Sequence, residues 1–317
     1  ALPGNFLTPA SYRSEVARLA RKLGWRMRFF GRAALERLGA GAFLAVTQAH
    51  DAQAGIVQLS YRPGRTRAAA RVALVGKGVC FDTGGVNLKS HRSMLDMHTD
   101  MGGSAVALAV LEALTTLEVP FAVDAWLALA ENQIGPRAYK PQDVVRAANG
   151  TTIQVIHSDA EGRMILADTL TLAGRARPQL ILDYATLTSA CVGALSERYA
   201  GVFTNRPELR AVLENAGVAS GERVWNFPMD ADFDSDLESR VADVMQCAPD
   251  SKGDHILAAR FLQRFVPADI AWAHIDLAPA QRSGGLGHVT TDITGFGVRY
   301  SLNLLIDSGI LDRLATR

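Results

Sequence analysis

Apolar and polar positions along the chain follow two periods, and the change from one to the other marks the elements. From Ala10 to Leu23 the apolar positions recur at helical spacing, after Thr8-Pro9, a cap and first-turn pair, and before Gly24, which stops the helix. Trp25 to Phe30 reads as a strand and Arg32 to Leu38 as a short helix. Ala42 to Thr47 and Ile56 to Tyr61 read as further strands. The apolar run Arg71 to Val75 predicts a buried strand, Ser104 to Leu114 an apolar helix, and Phe121 to Ala130 a strand ending at Glu131-Asn132. The β-branched run Thr151 to Ile156 predicts a strand and Met164 to Gly174 a helix, and strands are expected at Ile181 to Asp183 and Trp272 to Asp276. Asp230 to Asp254 is polar and reads as loops and short turns near a site mouth or a subunit contact. Strands alternating with helices predict an α/β fold, with a mainly parallel central sheet covered by helices on both faces.

The densest chemistry lies in His157-Ser158-Asp159-Ala160-Glu161-Gly162-Arg163, two carboxylates and a guanidinium at i, i+2 and i+4. The strand pattern before it and the helical pattern after it place these acids where ligands bind in open α/β sheets. In an extended stretch, residues two apart point the same way, so Asp159 and Glu161 can share one cation; a solvated turn is the plainer reading of two acids alone. A second group runs Gly76-Lys77-Gly78-Val79-Cys80-Phe81-Asp82-Thr83-Gly84-Gly85, then Lys89, then Asp96-Met97-His98-Thr99-Asp100-Met101-Gly102-Gly103. Asp82 and Asp100 are thus expected in loops between a core strand and a core helix. Gly76-Lys77-Gly78 lacks the spacing of a phosphate loop, and Cys80, between Val79 and Phe81, reads as an inert core thiol.

Composition narrows the classes. The chain has 317 residues, 48% of them hydrophobic, enough for one large or two modest domains with a sizeable core. A net charge of +1 gives no electrostatic case for nucleic acid or a membrane surface. The apolar runs are broken well short of a spanning helix, and residues 1–30 hold no signal-peptide apolar region. Three cysteines, Cys80, Cys191 and Cys247, fit a reducing compartment. Asn149-Gly150-Thr151 matches a glycosylation sequon but is more simply a turn before a strand.

Taken together, Lys77 to Gly85, Lys89, Asp100-Met101-Gly102-Gly103 and Asp159-Ala160-Glu161-Gly162-Arg163 resemble, in order and spacing, the leucyl (cytosol) aminopeptidase family of dinuclear metallopeptidases, M17. Asp183-Tyr184-Ala185-Thr186-Leu187-Thr188 and Trp272-Ala273-His274-Ile275-Asp276-Leu277-Ala278 match the same pattern. The resemblance runs from about Leu2 to the C-terminus, so residues 1–317 are expected to form one catalytic domain. The family's smaller N-terminal domain is expected to be absent, because Leu2-Pro3-Gly4-Asn5-Phe6-Leu7-Thr8-Pro9 resembles the start of the catalytic one.

The resemblance implies removal of N-terminal residues, Leu or similar, from short peptides by hydroxide attack at two divalent metal ions. One ion would be held by Asp82, Asp159 and Glu161, the other by Lys77, Asp82, Asp100 and Glu161. A lysine ligand must be neutral, so its ordinary pKa of roughly 10.4 must be depressed by burial and by the metals; Zn and Mn are the two candidates. Lys89 would steady the negative oxygen of the reacting carbonyl. Arg163, with backbone groups of Gly162 and Leu187, would hold a bicarbonate ion acting as base. Met97, Thr186, Ser189 and Ala278 would line the pocket for the first side chain. Ser189 stands where Gly is common, and Pro279-Ala280-Gln281 where apolar residues are usual, so the ranking of Leu, Met and smaller residues is expected to differ from typical members. His157 stands where Asn is frequent and is expected as a buried, backbone-bonded histidine, and His98 as a core or rim imidazole. A cytoplasmic homohexamer with no membrane or nucleic-acid partner is implied. Two alternatives stay open, a related two-metal dipeptidase of the Cys-Gly type and a DNA-binding or structural relative.

Overall fold

The computed structural model describes residues 2–50, 53–64 and 70–315. Its main sheet has eight strands: β1 (Arg26–Gly31), β2 (Gly55–Tyr61), β3 (Arg71–Asp82), β4 (Ala122–Asn132), β7 (Leu180–Ala185), β8 (Ala200–Thr204), β9 (Val224–Asn226) and β11 (Ala271–Asp276). A separate three-stranded sheet is made by β5 (Val144–Arg146), β6 (Thr152–Gln154) and β10 (Val244–Met245). The main order is β1-β2-β4-β3-β7-β11-β8-β9. The central strands β4, β3, β7 and β11 run parallel, and antiparallel pairings (β1 with β2, β2 with β4, β8 with β11) flank them.

Helices cover both faces, and the period-2 alternation of the strands sorts their residues between two cores. Val72, Leu74, Leu127, Leu182 and Ile275 pack on one side with α1 (Pro9–Leu23), α5 (Gly102–Thr116) and α8 (Arg210–Ser220). Ala73, Val75, Ala128, Ile181 and Trp272 pack on the other with α2 (Arg32–Leu38), α3 (Gly41–Thr47), α6 (Glu161–Gly174) and α9 (Asp254–Gln263). Short helices α4 (His91–Met94), α7 (Ser189–Leu195), α10 (Val298–Leu302) and α11 (Ile310–Ala315) complete the set. Every residue of α6 is buried, so it is a core helix with no solvent face. No helix among the described residues is long and apolar enough to cross a membrane.

The expected α/β architecture holds, with four local differences. Ala42 to Thr47 is a helix, not a strand: the Asp168 carboxylate in α6 accepts the Phe43 amide at 2.8 Å in the first turn of α3, and a short apolar run carries no period that would decide between the two. The strand expected at Thr151 to Ile156 shrinks to β6 and sits in the small sheet. The strand read at Arg71 to Val75 continues to Asp82, so Lys77 and Asp82 belong to β3 itself rather than to a loop. Lastly, Asp159 lies in a turn and Glu161 opens α6, so the two acids do not share an extended stretch.

Two contacts set the geometry of the sheet edge. Asp183 in β7 takes the His274 Nδ1 at 2.6 Å and the Trp272 Nε1–H at 2.5 Å, both from β11, entirely inside the protein. Burial opposes the imidazolium form of His274, but the Asp183 charge outweighs it and holds its pKa above the ordinary value. At β3 the chain needs glycine: a Cβ on Gly76 would lie 2.4 Å from the Ser104 Cα, and one on Gly103 only 2.0 Å from the Tyr184 carbonyl oxygen. These contacts let the start of α5 rest on β3 and β7. Gly103→Ala is expected to lower unfolding stability by about 2–3 kcal/mol through backbone displacement, read from urea midpoints at unchanged slope; a loss below about 0.5 kcal/mol, the size of a neutral surface change, would show that the helix start is free to shift.

Candidate metal centre

The parallel strands deliver their ends to one edge, and the acids gather there. Asp82 ends β3, Asn132 ends β4, Thr186 follows β7 and Asp276 ends β11. Glu161 comes from the first turn of α6, Asp159 from the turn before it, and Asp100 from the short turn before α5. Ligand oxygens of Asp82, Asp159 and Glu161 all lie within 4.8 Å of one another, a spacing that fits a metal ion.

Two lysines divide the acids. Lys77 Nζ lies 2.7 Å from Asp100 Oδ2 and 2.8 Å from Glu161 Oε1, and donates to the Thr186 carbonyl at 3.0 Å. Lys89 Nζ lies 2.9 Å from Asp82 Oδ2 and 2.5 Å from Asp159 Oδ1. A Cβ on Gly162 would sit 2.8 Å from Lys77 Cε, so glycine there leaves room for the lysine stem. The 83–89 loop is tied down by Ser158, whose hydroxyl donates to the Gly84 carbonyl at 2.6 Å and accepts the Asn87 amide at 2.8 Å; this brings Lys89 to Asp159. Asn132 Nδ2 bridges Asp82 Oδ1 (2.8 Å) and the Ser158 carbonyl (3.0 Å), and Tyr139 donates to that carbonyl at 2.6 Å. Asn132, Tyr139 and Ser158 had no role in the sequence reading; the signals were a polar Glu131-Asn132 pair closing an apolar strand and the place of Ser158 directly before Asp159.

The electrostatics are unbalanced. Among the described residues, the ion pairs of Asp82, Asp100, Asp159 and Glu161 are with Lys77 and Lys89, two positive charges against four. Burial, reinforced by neighbouring carboxylates, raises Asp100 to about 8, Glu161 to about 7 and Asp159 to about 6. Glu161 Oε2 is buried and has no hydrogen-bond partner. Asp100 Oδ2 and Asp159 Oδ1 meet their lysines at ion-pair distance but without hydrogen-bond geometry. Burial disfavours the charge on Lys77, yet Asp100, Glu161 and Asp82 outweigh it and hold the ammonium well above its ordinary pKa. The depressed lysine expected for a ligand is therefore not what the protein groups alone produce. The donor chemistry, the spacing and the orphaned oxygen fit divalent cations.

Beside this cluster opens a cleft of about 740 Å³. Met97, Thr186, Ser189 and Ala278 all line it, together with Ala105, Val192, Phe296 and Gln281. Thr186 donates to Asp100 Oδ1 at 2.7 Å, tying the pocket wall to the acids. Thr99 donates to the Gln281 side-chain oxygen at 3.3 Å, so Gln281 is anchored at the rim. His98 does not line the cleft. His157 is exposed rather than buried; its Nδ1 accepts the Asp159 amide at 3.2 Å, so the backbone bond is present and the burial is not.

Arg163 lies outside the cleft. Its Nη2 donates to Asp254 at 2.9 and 2.8 Å and its Nη1 to the Gln246 carbonyl at 3.3 Å. The Leu187 amide donates to Asp276 Oδ1 at 3.1 Å. Protein carboxylates thus take donors that the resemblance assigns to a bicarbonate ion, and the residues present do not fit that ion.

A carboxylate–lysine centre at the carboxyl edge of parallel strands, with a donor set that fits divalent cations, places this chain among the α/β proteins. A family model described as the cytosol aminopeptidase family, catalytic domain, matches residues 1–302, and the chain belongs to that family. It is 42% identical over 301 residues to a "Probable cytosol aminopeptidase" of Synechococcus sp. (strain JA-3-3Ab), covering 94% of this chain and 59% of that protein. A protein of the same name from Chlorobaculum tepidum is 40% identical over 306 residues, with coverages of 96% and 60%. The chain therefore spans about three fifths of the length of these relatives. The solved structure "Bottromycin maturation enzyme BotP in complex with Mn" matches with a TM-score of 0.90 and 39% identity, over 96% of this chain and 67% of that one.

The raised carboxyl pKa values have a signed consequence. A folded-state pKa above the unfolded one means the folded protein binds more protons, so that contribution to stability is lost as pH rises through about 6 to 8. Chelator-treated protein is expected to lose Tm between pH 5.5 and 8, and Mn2+ to raise Tm more at pH 8 than at pH 6, since protons compete for the same oxygens. Equal Mn2+-induced shifts at both pH values would contradict the assignment of these acids as the cation site.

Proposed function

We propose that this chain is the catalytic domain of a metal-dependent aminopeptidase that removes N-terminal residues from peptides. The observation carrying the reading is the buried acid cluster with the unpartnered Glu161 Oε2, set against an open cleft; membership of the cytosol aminopeptidase family supports it. Asp82, Asp159 and Glu161 would hold one divalent ion, and Lys77, Asp82, Asp100 and Glu161 would hold a second. The pairing of Lys77 with Asp100 and Glu161, and of Lys89 with Asp82 and Asp159, supports two cationic positions. Zn or Mn suits the mixed oxygen and amine set, and the similar BotP structure is described as a Mn complex. Ions of this kind supply Lewis acidity for a peptide carbonyl and acidify water.

The chain's own groups do the rest. Lys77 must lose a proton to offer its lone pair. Lys89, on the cleft wall, provides positive charge for the oxygen that becomes negative on the scissile carbonyl. The Lys77–Asp100 end, beside Thr186, receives the free α-amine, which restricts cleavage to the first residue. Met97, Thr186, Ser189 and Ala278 receive its side chain, Leu, Met or smaller. No step is assigned to bicarbonate. The peptides are met in the cytoplasm by a homohexamer, the assembly the family resemblance implies.

Hydrolysis of leucine-amide by chelator-treated protein, before and after adding Mn2+ or Zn2+, tests the reading. Restored turnover is expected; none, in folded and metal-loaded protein, overturns it. Lys89→Ala is expected to lower kcat by about 10²–10³-fold with little change in KM, and Glu161→Gln to lose metal as well as activity. Ser189→Gly is expected to favour bulkier first residues relative to alanine; an unchanged ranking across Ala-, Leu- and Met-amides would remove Ser189 from the specificity pocket.

A further inference from the structure

We propose that Asp254 is a built-in anion for Arg163, a tethered carboxylate in the place of free bicarbonate, so that the reaction of this chain does not depend on that ion. Asp254 is the first residue of α9, where a negative charge also suits the helix dipole. α9 packs against α6 through Ile256, Leu257, Ala259 and Phe261 in the core they share, and this holds the carboxylate over Arg163. Arg163 Nη2 meets both oxygens of Asp254, at 2.9 and 2.8 Å, and Nη1 is used by the Gln246 carbonyl at 3.3 Å. Only Nε stays unpartnered. A planar anion such as bicarbonate is gripped by two parallel N–H groups, and this guanidinium has no free pair. A second anion beside Asp254 would also meet like-charge repulsion in a site where Arg163 is 2% exposed.

The competition favours the protein's own carboxylate. A group fixed on a packed helix is presented at an effective concentration far above that of a dissolved ion. The backbone donor is committed as well: Leu187 N–H points to Asp276 Oδ1 at 3.1 Å, and Thr188 Oγ1 fixes the other Asp276 oxygen at 2.7 Å. Asp254 does not line the cleft; it acts through Arg163 and is a positioning residue.

The proposal rests on the aminopeptidase reading for its kinetic part, and the experiment separates the two. Leucine-amide hydrolysis and Tm are measured in carbon-dioxide-depleted buffer and again with bicarbonate replacing chloride at constant pH and ionic strength. Wild-type rate and Tm are expected to stay flat. Asp254→Gly is expected to lower kcat about tenfold or more, with bicarbonate restoring the rate and raising Tm. Asp254→Ala, which also empties the site but keeps a good helix former in the first turn of α9, is expected to show the same two responses and carries the test if the glycine variant fails to fold. A wild-type rate or Tm that rises with bicarbonate overturns the proposal, as do folded variants that respond in neither readout. If the wild type hydrolyses nothing, the aminopeptidase reading fails, while the Tm comparison still decides what Arg163 binds.

Discussion

Four carboxylates held together, three of them buried and Asp159 half-buried, against two ammonium groups, are the constraint from which the rest of this structure follows. Asp82, Asp100, Asp159 and Glu161 repel one another where solvent screening is weak, and burial raises the pKa of three of them. Such a group persists only if the scaffold overdetermines it and if cations answer it. Lys77 and Lys89 answer part of the charge, and the orphaned Glu161 Oε2 marks what they leave. The same imbalance makes the site receptive to divalent ions.

The scaffold overdetermines the cluster through rigid parts. Parallel strands bring Asp82, Asn132, Thr186 and Asp276 to one edge, and the buried Asp183–His274–Trp272 contacts lock β7 to β11 just behind it. The glycines at 76, 103 and 162 are absences of side chain that bring α5 and α6 down onto β3 and leave the Lys77 stem its path. Ser158 and Asn132 then tie the Lys89 loop to the acids. Precise placement in such sites comes from this supporting layer, because a charged group moved by an ångström loses most of its effect.

Much of this was legible in the residues. The apolar runs at Arg71, Phe121, Ile181 and Trp272 identified the central parallel strands, since strands buried on both faces read as continuous hydrophobic stretches. The acids and lysines were legible because their spacing repeats a family pattern, and the cleft lining at Met97, Thr186, Ser189 and Ala278 came with it. What misled was local. Ala42 to Thr47 carries no usable period, and a distant carboxylate, Asp168, selects the helix. The β-branched run before the acids has strand propensity, but its partners lie in a small separate sheet.

Read in order, the residues determined the class of fold through their periodicity, and the acid–lysine set through its resemblance in order and spacing to a known family; that glycines 76, 103 and 162 support the set came from the packing. Only the tertiary structure decided which groups neutralise which. Lys77 is held as an ammonium because three acids from separate elements surround it. Arg163 is claimed by Asp254, a residue 91 positions away that the sequence reading placed in a polar loop region. Charge pairing depends on distance and burial, and neither is written in the order of residues.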